Sequence, residues 1–403
     1  MKKTRVLSLL LALALLVAAL AGCKTAPVVE SSATATATLE ATATLEVTPE
    51  PPPTPVPANP DWGIKNAKNF NIEYLADSVK LLTDSDGRKL LLVPNGITAP
   101  AGYEDAVQIA TPIDSAFYTS TTHIGYLDAL NVASVYDSVA AVATPESDWT
   151  NQKVLDRFTA GKVTYLAQDM WSAGDIEGIV TLAPQLVFTD SATDAGVALQ
   201  ALLGEVKINY AVATEWTETD NKASLEWIKY FAAFFNLDQE AHDIYEAKLA
   251  RLDELYTAAA AIPEDGRPVV AYGMVYDGIV YTQGSESTFA QEMAKAGAAY
   301  ALTDVPGASI QLGMEEFLNS CKDADILIYG SLPQYLANKQ ALLDTEPLFS
   351  EFKAFQNDQV YIMDKGYYMN SAKVVEKFED IVAMFHPDMV PNHSFVMYQK
   401  LPD

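Results

Sequence analysis

What most restricts the fold of this chain is a long helical stretch set between two segments in which short apolar strands alternate with helices. From Lys222 to about Ala261 apolar side chains recur at helical spacing, first Leu225, Ile228, Phe231 and Phe235, then Ala241, Ile244, Tyr245, Leu249, Leu252 and Leu255. Asn236-Leu237-Asp238 is predicted to break the stretch, with Asp238 capping a second helix, and Pro263-Glu264-Asp265-Gly266 to end it. Upstream, Val107–Thr111, Ala140–Ala143, Val163–Leu166, Gln185–Thr189 and Lys207–Val212 read as strands, and Gln152–Ala160, Gly174–Leu182 and Ala195–Leu203 as helices. Downstream, strands fit Val269–Tyr272, Ile279–Tyr281, Ile326–Tyr329 and Val360–Met363, and helices Phe289–Ala296, Met314–Ser320 and Ala372–Met384. Such alternation specifies α/β layers with mostly parallel sheets. The expected organisation is an N-terminal α/β lobe over residues 61–220, spine helices over 221–262 and a C-terminal α/β lobe over 263–403.

The first lobe opens with a different pattern. Phe70, Ile72 and Tyr74 alternate with polar residues, and two apolar runs, Val79–Leu82 and Lys89–Val93, flank Asp84-Ser85-Asp86-Gly87. An Asp-Gly turn between apolar runs predicts a leading β-hairpin.

Ahead of it, residues 23–60 are Thr, Ala, Glu and Pro with almost no large apolar side chain, and the hexapeptide of Ala35–Glu40 recurs as Ala41–Glu46. A stretch of this kind buries too little surface to fold and acts as a tether, its Pro-rich end from Pro49 to Pro57 favouring extended polyproline II. Residues 1–22 carry Lys2, Lys3 and Arg5 before an apolar run from Val6 to Leu20, which is the composition of an export signal. Leu20-Ala21-Gly22-Cys23 resembles the lipobox at which bacterial signal peptidase cuts, so Cys23 is expected to be lipidated and to hold the protein on the extracytoplasmic face of the cell membrane. The run is short for a spanning helix, which needs roughly 20 residues.

Charge and cysteine content exclude several classes. Removing the three basic residues of the leading segment takes the formal net charge from −27 to about −30. Nucleic acid is thereby excluded as a partner, since phosphate binding needs clustered Lys and Arg. Cys321 is the only other cysteine, so neither a disulfide nor a cysteine-based metal site is expected, and Cys321 reads as a buried free thiol without function.

Several segments, in order from Val107 to Pro387, resemble the iron-chelate and cobalamin class of periplasmic binding proteins. Gly174–Val187 is similar to that family's helix-then-strand segment, with Gln185 where an Asp is usual. Leu225-Glu226-Trp227-Ile228 resembles the spine, and Gly284–Gly297, with Phe289 and Ala296 inside it, resembles a helix of the second lobe. Ala324–Ile328, Phe352–Tyr361 and His386-Pro387-Asp388 complete the set. The leading hairpin and the scarcity of arginine depart from the pattern. The resemblance implies two Rossmann-like lobes on a helical backbone, a solute held between them, and an ABC permease/ATPase complex as partner. It also implies docking through one carboxylate of each lobe, here Glu177 and either Glu315 or its neighbour Glu316, although each also reads as a solvated residue favourable to a helix start. The protein is expected to be a monomer.

Ligands of α/β lobes sit beyond the carboxyl ends of strands. That rule selects Tyr118, Thr119, Ser120, Thr121, Thr122 and His123, then Trp171, Met274, Tyr276, Tyr335, Tyr367 and Tyr368 as ligand-binding residues, while a core role fits each single aromatic equally well. Aromatic faces with hydroxyls suit a large, flat or amphipathic ligand. Arg88, Arg157, Arg251 and Arg267 all fall outside these loops, so a strongly anionic ferric catecholate is disfavoured against a hydroxamate siderophore, a corrinoid or haem, for which His123 or a tyrosine is a conceivable axial ligand. His123, His242, His386 and His393 show no metal-ligand spacing, no catalytic motif is present, and no cofactor is expected, which argues against a bare-metal carrier and against an enzyme. The alternative from another class is a lipoprotein of the same fold that senses or stores its ligand without feeding a permease.

Overall fold

The computed structural model describes residues 62–403 apart from 169–171 and 173. The export segment, Cys23, the tether and Trp171 therefore lie outside the described residues.

The leading segment forms more than a hairpin. Strands β1 (Asn71–Tyr74), β2 (Lys80–Thr83) and β3 (Lys89–Pro94) pair antiparallel, and β4 (Val107–Thr111) adds to β3 in parallel, Leu92 opposite Ile109. The β2–β3 turn places Gly87 at φ 73°, where glycine is favoured. Val107–Thr111, expected as the first strand of the α/β lobe, belongs instead to this separate four-stranded sheet. An apolar run specifies a strand but not its partner, and here β3 presents the free edge.

The first strand of the lobe is β5 (Ala116–Tyr118), three residues long and wholly buried. It leads into α1 (Thr121–Leu130), followed by β6 (Val139–Val142), α2 (Gln152–Thr159), β7 (Thr164–Tyr165), α3 (Ile176–Leu182), β8 (Leu186–Thr189), α4 (Asp194–Val206) and β9 (Tyr210–Val212). The five strands are all parallel, in the order β7-β6-β5-β8-β9. β5 is central, so Phe117 packs on one face of the sheet with Ile179, Leu199 and Leu203, and Tyr118 packs on the other.

The spine is two helices, α5 (Asn221–Ala233) and α6 (Asp238–Ala260). Trp227, Tyr230, Phe231 and Phe234 of α5 and its C-terminal cap are fully buried against the first lobe, Phe231 and Phe234 meeting Phe188 of β8 at 5.5 and 5.0 Å between ring centroids. The break falls at Asn236, φ 58°, as expected. Asp238 does not cap: Leu237 holds that position, and the Asp238 carboxylate, buried, pairs with Lys80 of β2 at 2.7 Å. A buried lysine demands such a partner, because an uncompensated internal charge costs several kcal/mol.

Residues 62–68 also dock on the spine. The buried Glu226 carboxylate accepts the backbone N–H groups of Lys65 at 3.0 Å, Asn66 at 2.7 Å and Ala67 at 2.9 Å, and pairs with Lys229 at 3.0 Å.

In the second lobe β10 (Val269–Tyr276), β11 (Ile279–Gln283), α7 (Thr288–Lys295), β12 (Ala299–Tyr300), β13 (Ser309–Gly313), α8 (Met314–Cys321), β14 (Ile326–Tyr329), α9 (Lys339–Thr345), α10 (Lys353–Gln356), β15 (Val360–Met363), α11 (Val374–Phe385) and β16 (Tyr398–Lys400) follow in order. β10 pairs in parallel with β12 and β14, and β14 with β15, whereas β11, β13 and β16 add antiparallel at the edges. The fold is thus α/β, two lobes on a helical backbone.

Candidate functional site

The loops at the carboxyl ends of β5, β7, β8 and β9 converge on the second lobe. Ser120 caps α1 by accepting the Thr122 N–H at 3.2 Å, which fixes Thr119, Thr122 and His123 at the head of the helix. Gln168 follows β7, and Asp190 and Thr193 follow β8. After β9 the chain runs through Glu215, Trp216, Glu218 and Asp220 before entering α5. Tyr367, Tyr368 and Ser371 approach from the far side, between β15 and α11.

Two cavities lie in the cleft so formed. One, of about 380 Å³, is bounded by Thr119, Ser120, Thr122, His123, Gln168, Asp190, Thr193, Trp216 and Tyr368. The other, of about 280 Å³, shares Thr122, Trp216 and Tyr368 and extends past Glu218, Asp220 and Asn221 to Glu292 and Lys295 of α7 and Lys377 of α11. Trp216 and Tyr368, 53% and 51% exposed, stand at the junction.

The lobes are closely apposed here. Ser371 donates to the Thr122 carbonyl at 3.1 Å, and a Cβ at Gly125 of α1 would lie 2.7 Å from the Met369 carbonyl oxygen, so only glycine permits this approach. Lys295 reaches Asp220 at 2.6 Å, and Glu292 accepts from Asn221 at 3.0 Å while pairing with Lys377 at 2.9 Å. Burial pushes the Asp220 carboxyl up, but the Lys295 ammonium and the Lys222 amide outweigh it and hold the group below its ordinary value.

Beneath Thr122 lies a buried polar pair. The Thr122 hydroxyl donates to Glu215 Oε1, and His123 Nε2 lies 3.8 Å from Glu215 Oε2. Burial pushes His123 down to about 3, so the imidazole is neutral near pH 7. Burial pushes the Glu215 carboxyl up to about 7 against the Thr122 hydrogen bond, with the Asp190 charge adding to the rise. His123 Nδ1 has no hydrogen-bond partner among the described residues.

The structure brings Thr119, Ser120, Thr122, His123, Tyr367 and Tyr368 to the cleft. Other expectations need correction. Tyr118 is a core side chain, 1% exposed, stacked on Phe188 at 4.9 Å and bonded to Ser138 at 2.9 Å, because β5 begins where a loop was expected. Thr121, Met274, Tyr276 and Tyr335 line neither cavity: Tyr276 ends β10 beside the β10–β11 turn, and Tyr335, 80% exposed, follows β14. His123, 1% exposed, is enclosed by Phe188, Phe231 and Glu215 and is not presented as an axial ligand. Among the described residues no cluster of three or more His, Cys, Asp or Glu side chains is arranged for a metal ion. Sequence reasoning missed Trp216, Glu218 and Asp220, although the strand-end rule applied to Lys207–Val212 selects that loop.

Glu177 is exposed in the first turn of α3, and Glu315 and Glu316 are exposed in the first turn of α8, one helix in each lobe. Cys321 is buried, and burial pushes its thiol up to about 12.

Comparison with known proteins places these features. The profile of a family described as periplasmic binding protein matches residues 118–367. An uncharacterized lipoprotein of Methanocaldococcus jannaschii is 25% identical over 361 residues, spanning 83% of this chain and 85% of its own. A periplasmic solute binding protein from Veillonella parvula superposes with a TM-score of 0.56 at 16% identity, over 78% of this chain and 88% of its own. A periplasmic heme binding protein of Vibrio cholerae gives a TM-score of 0.52 at 17% identity, over 66% and 98%. At such identities the two structures attest to the fold.

Proposed function

The chain belongs to the periplasmic binding protein family, and on that premise we propose that it is the extracytoplasmic solute-capturing component of an ABC importer, anchored through a lipidated Cys23, whose solute is a metal chelate. One observation carries the reading: two cavities meet between the lobes, at Thr122, Trp216 and Tyr368. Trp216 contributes an indole from the first lobe and Tyr368 a phenol from the second, with Thr119, Ser120 and Thr122 beside them. A flat, partly apolar solute of the siderophore, corrinoid or haem type suits such walls, its stacking adding about 0.5–1.5 kcal/mol per ring beyond burial.

The anchor is supported by the lipobox-like Leu20–Cys23 and by a relative named as a lipoprotein. No helix among the described residues is long and apolar enough to cross a membrane. Glu177 and Glu315 suit the docking role, since exposed carboxylates on separate lobes give orientation on a permease rather than large affinity. The testing experiment is a fluorescence titration of the full-length protein with ferric hydroxamates, cobalamin and haem. Saturable quenching by one of them is expected. Silence towards all three overturns the chelate reading.

A further inference from the structure

The charge of the cleft bears on which solute it admits. Its two ammonium groups are already engaged, Lys295 with Asp220 at 2.6 Å and Lys377 with Glu292 at 2.9 Å. Two carboxylates that line the cleft have no such cation among the described residues. Glu218 accepts the Trp227 indole N–H at 3.1 Å and the backbone N–H groups of Lys68 and Asn69 at 3.0 and 3.3 Å. Asp190 accepts the backbone N–H groups of Ala192 and Thr193 at 3.0 and 2.8 Å and the Thr193 hydroxyl at 3.2 Å. All of these donors are neutral, so none of them cancels the carboxylate's charge. One of these groups lines each cavity, Asp190 the larger and Glu218 the smaller, and no arginine among the described residues lines either. His123, in the wall of the larger cavity and 1% exposed, adds the unpartnered Nδ1.

Resting on the chelate reading above, we propose that the cleft selects a solute bearing net positive charge, with Asp190 and Glu218 as the residues that set this preference. The cavity walls replace part of the surrounding water, so a carboxylate at cavity distance discriminates between a cation and an anion more than it would in open solution. The preference falls with salt, because the cleft is open to solvent and its field is screened.

The test uses full-length protein in detergent and three ferric complexes: a linear trihydroxamate bearing a free ammonium, a neutral cyclic trihydroxamate and an anionic tris-catecholate. The ammonium-bearing complex is expected to bind tightest, roughly tenfold ahead of the neutral one, its lead shrinking at high salt and in Glu218→Gln and Asp190→Asn. Glu218→Gln keeps the one oxygen that its three donors share, and Asp190→Asn keeps an oxygen for the two backbone amides while the Thr193 hydroxyl can turn to accept from the new amide. Equal or tighter binding of the anionic complex overturns the proposal, as does a lead indifferent to both salt and the two variants. If none of the three binds, the siderophore form of the chelate reading fails while its haem and corrinoid forms stand, and two porphyrins of equal size and opposite charge decide the charge preference alone. It stands if only the cationic porphyrin binds, and falls otherwise.

Discussion

His123 and Glu215 face each other at 3.8 Å in a site each of them shares with almost no water, both being 1% exposed. Burial reverses their ordinary order of protonation, lowering His123 to about 3 and raising Glu215 to about 7. Asp190, Tyr126 and Tyr230 are the other titratable groups that act on or around Glu215, and burial holds both tyrosines protonated across this range.

The pair makes stability nearly independent of pH between about 4.5 and 6.5, the ordinary values of the two groups. In that window the unfolded chain carries one proton on His123, and the folded chain carries one on Glu215. Glu215→Gln leaves the histidine alone. Its lowered value then makes stability fall on acidification below about pH 6.5, at up to about 1.4 kcal/mol per pH unit. His123→Gln leaves the carboxyl alone, and its raised value gives stability that is full below about pH 4.5 and lost as pH rises through 7. Denaturant melts from pH 4.5 to 8 on the two variants should show slopes of opposite sign.

Glu226→Gln should destabilise the fold by about 3–5 kcal/mol, because Lys229 is then left buried without its counter-charge. Amide exchange at Asn66 and Ala67 should accelerate in the same variant. Replacing Lys229 by Met as well should recover most of the loss, which chemical denaturation measures.

Trp216→Ala and Tyr368→Ala should each weaken solute binding roughly tenfold or more, since each removes an aromatic wall shared by both cavities. Tyr276→Ala, on a side chain that lines neither cavity, should change affinity less than twofold. Calorimetric titration separates the two behaviours.

Charge reversal at both Glu177 and Glu315 should abolish uptake while affinity stays within a few-fold, because α3 and α8 contribute nothing to the walls of the cleft. Uptake by whole cells alongside binding by the purified variant is the measurement.

Much of this fold is legible in the sequence because strand and helix periods are local properties. The spine and its break at Asn236, and strands such as Leu186–Thr189 and Ile326–Tyr329, follow directly from apolar spacing. Strand partnership is not local. Val107–Thr111 joined the leading sheet because β3 offered an edge, and that moved the start of the lobe to Ala116–Tyr118, too short a run to signal a strand. Tyr118 was thereby misplaced into the cleft. Thr119, Ser120 and Thr122 were legible as residues beyond a strand end, whereas Lys295 and Lys377 reach the cleft only because of how α7 and α11 pack.

The strap of residues 62–68 has a mechanical consequence. The amides of Lys65, Asn66 and Ala67 are fastened to Glu226, on the helix both lobes share, and that of Lys68 to Glu218 just ahead of that helix. With the proposed lipid anchor at Cys23, a pull transmitted through residue 62 would be delivered to α5, between the two lobes. Load applied close to an axis exerts little torque about it, so under the proposed anchoring drag on the lipid would not pry the cleft apart.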